Sequence, residues 1–342
     1  MNLQARLNQI RQQANQPSHE GITLDPSQVL TVSYSSLEVF NTCPRKFELY
    51  KIHPMEMERD TSPALSLGSA VGVGYARYLE LIAENKLDYQ EILDDVLLET
   101  WRAYYPALED NVRSLSKAHV IVDRLIETPW VPNGVDDPCD WVLASFDGKP
   151  AAELSFAIQL TSDIYYTGYL DGVMYSPSTG LYRPLELKTS SLTNNLEVNF
   201  KNSAQGLAYA LVIDKLNKVK GKQQYTFDVH YRVAQLHRNK ELAYQPTIHD
   251  FYFHKTLMDR LEWLLGLRLE VDRIGKYLEV SLFPKRGSSC LSWNRPCPFY
   301  GVCSLVNTKH SLQLESEKKE FQFYFELDDL IEEALELVNG GV

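Results

Sequence analysis

Apolar and polar positions follow two periods along this chain, and the change of period organises it. Between residues 33 and 128 apolar side chains recur at helical spacing. Ser33-Tyr34-Ser35-Ser36-Leu37-Glu38 reads as a helix start, with a serine cap and Glu38 three residues after Ser35 as in a capping box. That helix is expected to carry Leu37 and Phe40 and to continue into Cys43-Pro44-Arg45-Lys46-Phe47. A second spans Leu65 to Asn85 and holds Gly68, Gly72 and Gly74. Glycine in a helix costs roughly 1 kcal/mol relative to alanine, so close packing or a bend is expected there. Amphipathic helices follow over 88–107 and 113–128.

Pro132, Gly134, Pro138, Gly148 and Pro150 mark a loop region after Trp130. A strand-rich stretch succeeds it: 151–160 with Glu153, 165–175 with Asp171, and 181–189. The turn Ser176-Pro177-Ser178-Thr179-Gly180 makes the last two a hairpin. Residues 194–216 read as helix. In 225–234, Phe227, Val229, Tyr231 and Val233 alternate with Asp228, His230 and Arg232. A strand over 247–254, a long helix over 257–277, a strand at 321–325 and a helix at 328–338 complete the pattern, and no internal repeat is present. Helices, strands, helix, strands, helix in that order imply a mixed α/β domain with an N-terminal helical subdomain. The expected segments are a flexible lead-in (1–30), a helical part (31–130), a core with a cysteine-rich end (131–310) and an acidic strand/helix tail (311–342).

Composition agrees with a folded domain. At 342 residues the chain is one large domain or two ordinary ones, and 44% hydrophobic and 11% aromatic residues supply a core. No run of eighteen apolar residues argues for a membrane span. Residues 1–16 are polar and carry no apolar signal segment, so a cytoplasmic location is expected, where disulfides are rare. Cys43, Cys139, Cys290, Cys297 and Cys303 then read as metal ligands or core thiols. A net charge of -11 runs against nucleic-acid binding, although acids crowd into the tail beyond Leu314. Lys188, Lys201 and Arg183 remain as candidates for a local basic groove.

The chemistry centres on Glu186-Leu187-Lys188, 15 residues after Asp171. Side chains two apart on a strand share a face, so Glu186 and Lys188 project together and Leu187 turns into the core. Hairpin pairing would bring Asp171 to them. Two carboxylates, with the Leu187 carbonyl and Glu153 as further candidates, suit a hard divalent cation, and the lysine suits an attacking water or a developing phosphorane. The plainer alternative is two solvated charges on an edge strand. Gln205 and Tyr209, four apart, share one face of the following helix and could line the same cleft, or Tyr209 could simply pack on the sheet.

These elements together resemble the PD-(D/E)XK nuclease superfamily in its RecB-like branch, similar to AddB nuclease domains and CRISPR-associated RecB-like exonucleases. The match runs in order from Ser35-Ser36-Leu37-Glu38 and Cys43-Pro44-Arg45-Lys46-Phe47 through Leu67-Gly68-Ser69-Ala70-Val71, Glu153, Gly168-Tyr169-Leu170-Asp171 and Glu186-Leu187-Lys188 to Gln205 and Tyr209. The resemblance implies a restriction-endonuclease-like mixed β-sheet flanked by helices. It also implies Mg2+ or Mn2+ on Asp171 and Glu186, Lys188 as catalytic lysine, and Gln205 and Tyr209 as a trailing motif. The activity implied is that of a deoxyribonuclease, an exonuclease on single-stranded or end-bearing DNA in recombination, repair, phage or defence processing. A DNA-binding or scaffolding protein with a degenerate nuclease fold is the alternative. Where the family usually has a metal-binding histidine, four residues after the glycine matched by Gly68, this chain has Gly72.

By the same resemblance, Cys43, Cys290, Cys297 and Cys303 would clamp the two ends of the nuclease domain on a [4Fe–4S] cluster, although Cys290 lies further before Cys297 than the pattern has it. Zinc is the alternative and buried free thiols the plain case. Trp293, Phe299 and Tyr300 would stack bases or pack around the cluster; Cys139 has no assigned role. The acidic tail is a candidate surface for a protein partner, and no membrane partner is expected.

Overall fold

A computed structural model of the chain describes residues 21–25, 27–52, 63–84, 88–104, 113–146, 148–192, 194–219, 225–236, 245–292, 295–304 and 318–340. Strand β1 (Ile22–Leu24) falls in the expected lead-in, whose residues 1–20 and 26 lie outside the described ones, and β2 (Leu30–Val32) crosses from its last residue into the part expected to be helical. Helix α1 (Tyr34–Thr42) starts earlier than the Ser35/Glu38 pattern predicts. Ser33 is extended (φ -133) as a cap requires, and a reciprocal box joins it to Ser36. The helix stops before the Cys-Pro stretch. Cys43 precedes a proline ring that excludes helical geometry, so it is extended (φ -156), and α2 (Pro44–Phe47) restarts with proline at its first turn. A π-helical turn, Glu48–Ile52, follows.

Helices α3 (Pro63–Ala83), α4 (Tyr89–Ala103) and α5 (Leu115–Glu127) fall where the period put them, the last two capped by Asp88 and Ser114. The Pro/Gly region contains three two-residue strands, β3 (Val142–Leu143), β4 (Ser145–Phe146) and β5 (Lys149–Pro150). Then come β6 (Ala152–Gln159), β7 (Ile164–Tyr175) and β8 (Tyr182–Ser190). The β7–β8 turn uses Gly180 at φ 74, a left-handed conformation that favours glycine. The helix expected over 194–216 is two, α6 (Leu196–Lys201) and α7 (Ala204–Val219), broken at Asn202 and Ser203. Strands β9 (Asp228–Gln235) and β10 (Thr247–His254) precede the long α8 (Leu257–Glu279). The chain continues through β11 (Leu291–Ser292), β12 (Arg295–Pro296), β13 (Lys319–Phe321), β14 (Phe323–Glu326) and α9 (Leu327–Gly340). No helix among the described residues is long and apolar enough to cross a membrane.

The contacts define two compact units, each drawn from separate stretches of the chain. The first holds the described residues of Asp60–Leu154 and Tyr169–Thr256. Its strands run β10-β9-β8-β7. β7 and β8 are antiparallel with Gly172 opposite Leu185, β8 and β9 are parallel with Leu187 opposite Arg232, and β9 and β10 are antiparallel with Tyr231 opposite Phe251. One face packs on α3, α4 and α5 through Leu67, Val71, Ile121, Val122 and Leu185. The other packs on α6 and α7, where Phe200 and Ala210 meet Val229, Tyr231, Val233 and Phe253. The sheet is therefore mixed and flanked by helices on both faces. The close packing expected of the α3 glycines is found at Gly74, where a Cβ would lie 2.1 Å from Thr100 Oγ1. At Gly72 a Cβ would meet nothing within 4 Å.

The second unit holds the described residues of His19–Arg59, Ser155–Gly168 and Leu257–Val342. Here β2 runs parallel to the first part of β7 (Thr31 opposite Tyr165) and β14 parallel to β6 (Phe325 opposite Ile158). Phe321, Phe323 and Phe325 are buried, so the tail's aromatic alternation is a packing element. Phe40, Phe47, Tyr277 and Phe283 interlock beneath α1 and α8, Phe40 edge-on to Phe47 at 5.3 Å.

Candidate active site

The β7–β8 hairpin of the first unit carries the centre expected from the sequence. One step beyond the Gly172–Leu185 pair, Asp171 comes beside Glu186. Asp171 Oδ2 accepts from the Leu187 N–H at 2.7 Å. Glu186 Oε1 is ion-paired with Lys188 Nζ. Leu187, between them, packs on the α3–α5 core as strand alternation requires. The two acids and the ammonium do converge.

Glu186 is 1% exposed, whereas the Lys188 side chain is 33% exposed, so the lysine is the member of the pair that reaches the surface. Glu186 Oε2 is covered and accepts no hydrogen bond. A buried carboxylate oxygen without a partner costs free energy unless a proton or a cation satisfies it. The site's electrostatics say the same. Burial, then the charge of Glu186, holds the Asp171 carboxyl well above its ordinary value, against the Leu187 N–H and Lys188. Burial also raises Glu186, although the charge of Lys188 favours its ionised form. Two neighbouring carboxyls that resist ionisation are a pair whose charge a proton or a nearby cation would relieve.

Helix α7 closes the site with a hydrogen-bond chain. Lys188 Nζ donates to Gln205 Oε1 at 3.1 Å, Gln205 Nε2 donates to the Tyr209 hydroxyl at 2.5 Å, and that hydroxyl donates to the Tyr169 carbonyl at 2.7 Å. The chain has one consistent direction. A phenol has one proton, which goes to Tyr169, so Tyr209 must accept from the amide nitrogen and the amide oxygen must face the lysine. Burial and the charges of Glu186 and Asp171 push the Tyr209 phenol well up, which keeps that proton in place. Gly206 allows the helix to come near, since a Cβ there would lie 3.2 Å from the Tyr231 hydroxyl.

Other expected members are placed differently. Glu153 takes a left-handed backbone (φ 51), strained for a residue with a Cβ. It reaches solvent, yet desolvation by surrounding protein, then the charges of Glu186 and Glu80, raise its pKa. Among the described residues no three His, Cys, Asp or Glu side chains form a group able to hold a metal ion, so Glu153 does not complete a ligand triad with Asp171 and Glu186. Arg183 is not part of a phosphate-facing groove. It is buried, forked onto Asp137 at 2.6 and 3.2 Å, and lies over the Trp141 and Tyr252 rings. Lys201 is exposed at the end of α6.

The structure also shows a buried polar network that the sequence pattern did not reveal. The polar side of β9 is not solvated: His230 and Arg232 are 0% exposed. Asp250 on β10 accepts from His230 Nε2 at 2.8 Å, from Arg232 at 2.9 and 3.0 Å, and from the Val131 N–H at 3.1 Å. Arg232 also donates to the Leu125 and Thr128 carbonyls at the end of α5. The signal was register: Asp250 falls opposite Arg232, which is legible only once β9 and β10 are paired.

The four cysteines lie in the second unit, buried at Cys43 and partly buried at Cys290, Cys297 and Cys303. Their segments are joined. Burial opposes ionisation of the Cys43 thiol, but the N–H groups of Lys46 and Arg286 and the Ser289 hydroxyl outweigh it and lower its pKa. Cys290 Sγ lies 3.9 Å from the Arg286 carbonyl, the Cys297 N–H donates to the Cys290 carbonyl at 2.8 Å, and Arg45 donates to the Cys303 carbonyl at 3.4 Å. Among the described residues these thiols form no group able to hold a metal ion, which bears on the cluster and on the zinc alternative alike. Phe299 is buried and Tyr300 exposed; Trp293 lies outside the described residues. Cys139 is exposed.

The family model described as the PD-(D/E)XK nuclease superfamily matches residues 31–304. Among solved structures, the chain is similar to a crystal structure of a candidate exonuclease from Eubacterium rectale. Identity is 16%, over 77% of this chain and 86% of that one, with a TM-score of 0.43. No curated protein matches significantly.

Proposed function

Since the chain belongs to the PD-(D/E)XK nuclease superfamily, we propose that it is a divalent-metal-dependent deoxyribonuclease acting on single-stranded or end-bearing DNA, with Asp171, Glu186 and Lys188 as its hydrolytic centre. One observation carries the proposal: an unpartnered, covered oxygen of Glu186 beside a second carboxyl and a surface-reaching ammonium. Asp171 and Glu186, with the Leu187 carbonyl, would hold Mg2+ or Mn2+, because hard oxygen donors suit these ions and magnesium needs only one or two carboxylates beside water and phosphate. The bound ion supplies an activated water and neutralises phosphate charge.

The rest is done by the chain's own groups. The Leu187 N–H fixes one oxygen of Asp171 and leaves the other for a ligand. Glu186 and Gln205 hold the Lys188 ammonium from two sides, and Tyr209 fixes the orientation of the Gln205 amide. Held this way, the lysine donates to the attacking water or to the phosphate oxygen on which charge develops. Glu153 acts as an outer acid that adds to the negative field without completing the ligand set. Processing of DNA ends in recombination, repair, phage or defence contexts is the setting the RecB-like resemblance points to.

The test is cleavage of a labelled single strand with Mn2+, with Mg2+ and with EDTA. Metal-dependent products that fall on Lys188→Ala support the proposal; no cleavage with either metal sinks it. Gly72 favours the second reading, a DNA-binding protein that has lost hydrolysis, because the position opens onto empty space and has no side chain to offer an ion. Strand binding without any cleavage would establish that reading. We propose in addition that Cys43, Cys290, Cys297 and Cys303 hold a structural [4Fe–4S] cluster, on the support of the contacts joining their segments. Protein purified without air should be brown and contain about four irons per chain; iron-free, colourless protein removes the cluster.

A further inference from the structure

An exposed aromatic ring stands beside the candidate centre. Tyr169 is 49% exposed, whereas Leu170 is fully buried and Asp171 partly so. That alternation puts Tyr169 and Asp171 on the same face of β7, roughly 6.5 Å apart along the strand. The Tyr169 backbone is not loose, because its carbonyl closes the chain that runs from Lys188 through Gln205 and Tyr209. The ring is therefore anchored in register with the lysine and the carboxylates.

We infer that Tyr169 is a stacking platform for an unpaired base next to the phosphate held at Asp171, Glu186 and Lys188, and that it selects single-stranded over duplex substrate. The inference rests on the nuclease reading of that centre and names its substrate class. Two physical arguments carry it. A base inside a duplex has both faces covered by its neighbours and only the terminal pair has an open one, so along a strand it is the unpaired base that offers a face to an aromatic ring at the surface. Of the cations near the centre, Arg183 is held by Asp137 and Lys188 by Glu186 and Gln205, which limits what phosphate attraction alone contributes there. Stacking on Tyr169 adds a contribution that phosphate attraction does not supply.

The experiment measures binding and cleavage separately. Full-length protein is titrated in EDTA against fluorescent oligo(dT), an abasic phosphodiester strand of equal length, and a blunt duplex, for the wild type, Tyr169→Ala and Tyr169→Phe. Tyr169→Ala should weaken oligo(dT) binding by between about fivefold and about a hundredfold, the worth of one stacked base. Tyr169→Phe should restore it. The wild type's preference for oligo(dT) over the abasic strand should disappear in Tyr169→Ala, a change that a merely structural role would not produce. An affinity within twofold of the wild type, an equal loss on the abasic strand, or no oligonucleotide binding by the wild type overturns the inference. Adding Mn2+ to the same samples keeps the two proposals apart. Cleavage with an unchanged KM in Tyr169→Ala sinks the platform and leaves the nuclease. A ring-dependent affinity without any cleavage sinks the nuclease and leaves a single-strand binding site.

Discussion

Glu186 is the residue on which the site turns, because its covered, unpartnered oxygen makes ionisation costly. Its pKa and those of Asp171 and Glu153 are raised above their ordinary values of 4.5, 3.8 and 4.5. The folded chain thus binds these protons more tightly than the unfolded one. Stability from these groups is fully present below the ordinary carboxylate range and is lost as pH rises through the raised values. His230, lowered by burial, acts with the opposite sign and costs stability as pH falls through and below its ordinary 6.5, so a variant comparison is needed to isolate the acids. Metal-free Glu186→Gln should exceed the wild type by about 1–3 kcal/mol at neutral pH and converge on it in acid. Mn2+ should raise the melting temperature of the wild type at neutral pH and leave the variant unmoved. A variant no more stable than the wild type at neutral pH would contradict the burial cost. At the same scale Lys188→Ala should lower kcat by about 10²–10³, the worth of one preorganised donor to a developing oxyanion, read from single-turnover cleavage.

Among the elements, α3 shows how a sequence cost becomes a packing device. Replacing Gly74 by alanine should gain up to about 1 kcal/mol of helix propensity. The new Cβ, however, would meet Thr100 Oγ1 at 2.1 Å and Val122 Cγ2 at 3.2 Å. Overpacking of about 1–3 kcal/mol should outweigh the gain, so Gly74→Ala should destabilise in urea. Gly74→Ala with Thr100→Ala should cost less than the sum of the two; strict additivity would show that the helices do not touch there. Elements with a strong period were legible from the chain: α3, α4, α5, the β7–β8 hairpin and β10 lie within a few residues of expectation. The misses were matters of local chemistry. Pro44 breaks the first helix, Asn202 and Ser203 divide α6 from α7, and Ser36 takes the capping role expected of Glu38.

Over the whole chain, burial redistributes what the residue pattern suggested. The acidic tail forms β14 alongside β6, and Leu327 and Leu330 of α9 are buried in the second unit. A chain ending after residue 304 should lose that strand, expose an unpaired edge on β6 and aggregate. Size-exclusion chromatography would check this, and a monodisperse, cooperatively melting truncation would refute it. The total charge of -11 meanwhile says little about the centre, where the Lys188 ammonium is positioned by a glutamate and an amide.

The sequence alone determined the alternation that puts Glu186 and Lys188 on one face, the hairpin that brings Asp171 to them, and the helical spacing of Gln205 and Tyr209. All of these depend on periods of two to four residues within short stretches of chain. Only the tertiary structure decided that Arg183 is spent on Asp137, that the polar side of β9 is buried around Asp250, that Glu153 forms no three-ligand group with Asp171 and Glu186, and that Cys43 is buried while Cys139 is exposed. Each of those outcomes depends on partners tens of residues away, and on whether neighbouring protein takes a polar group out of water, neither of which a local pattern encodes.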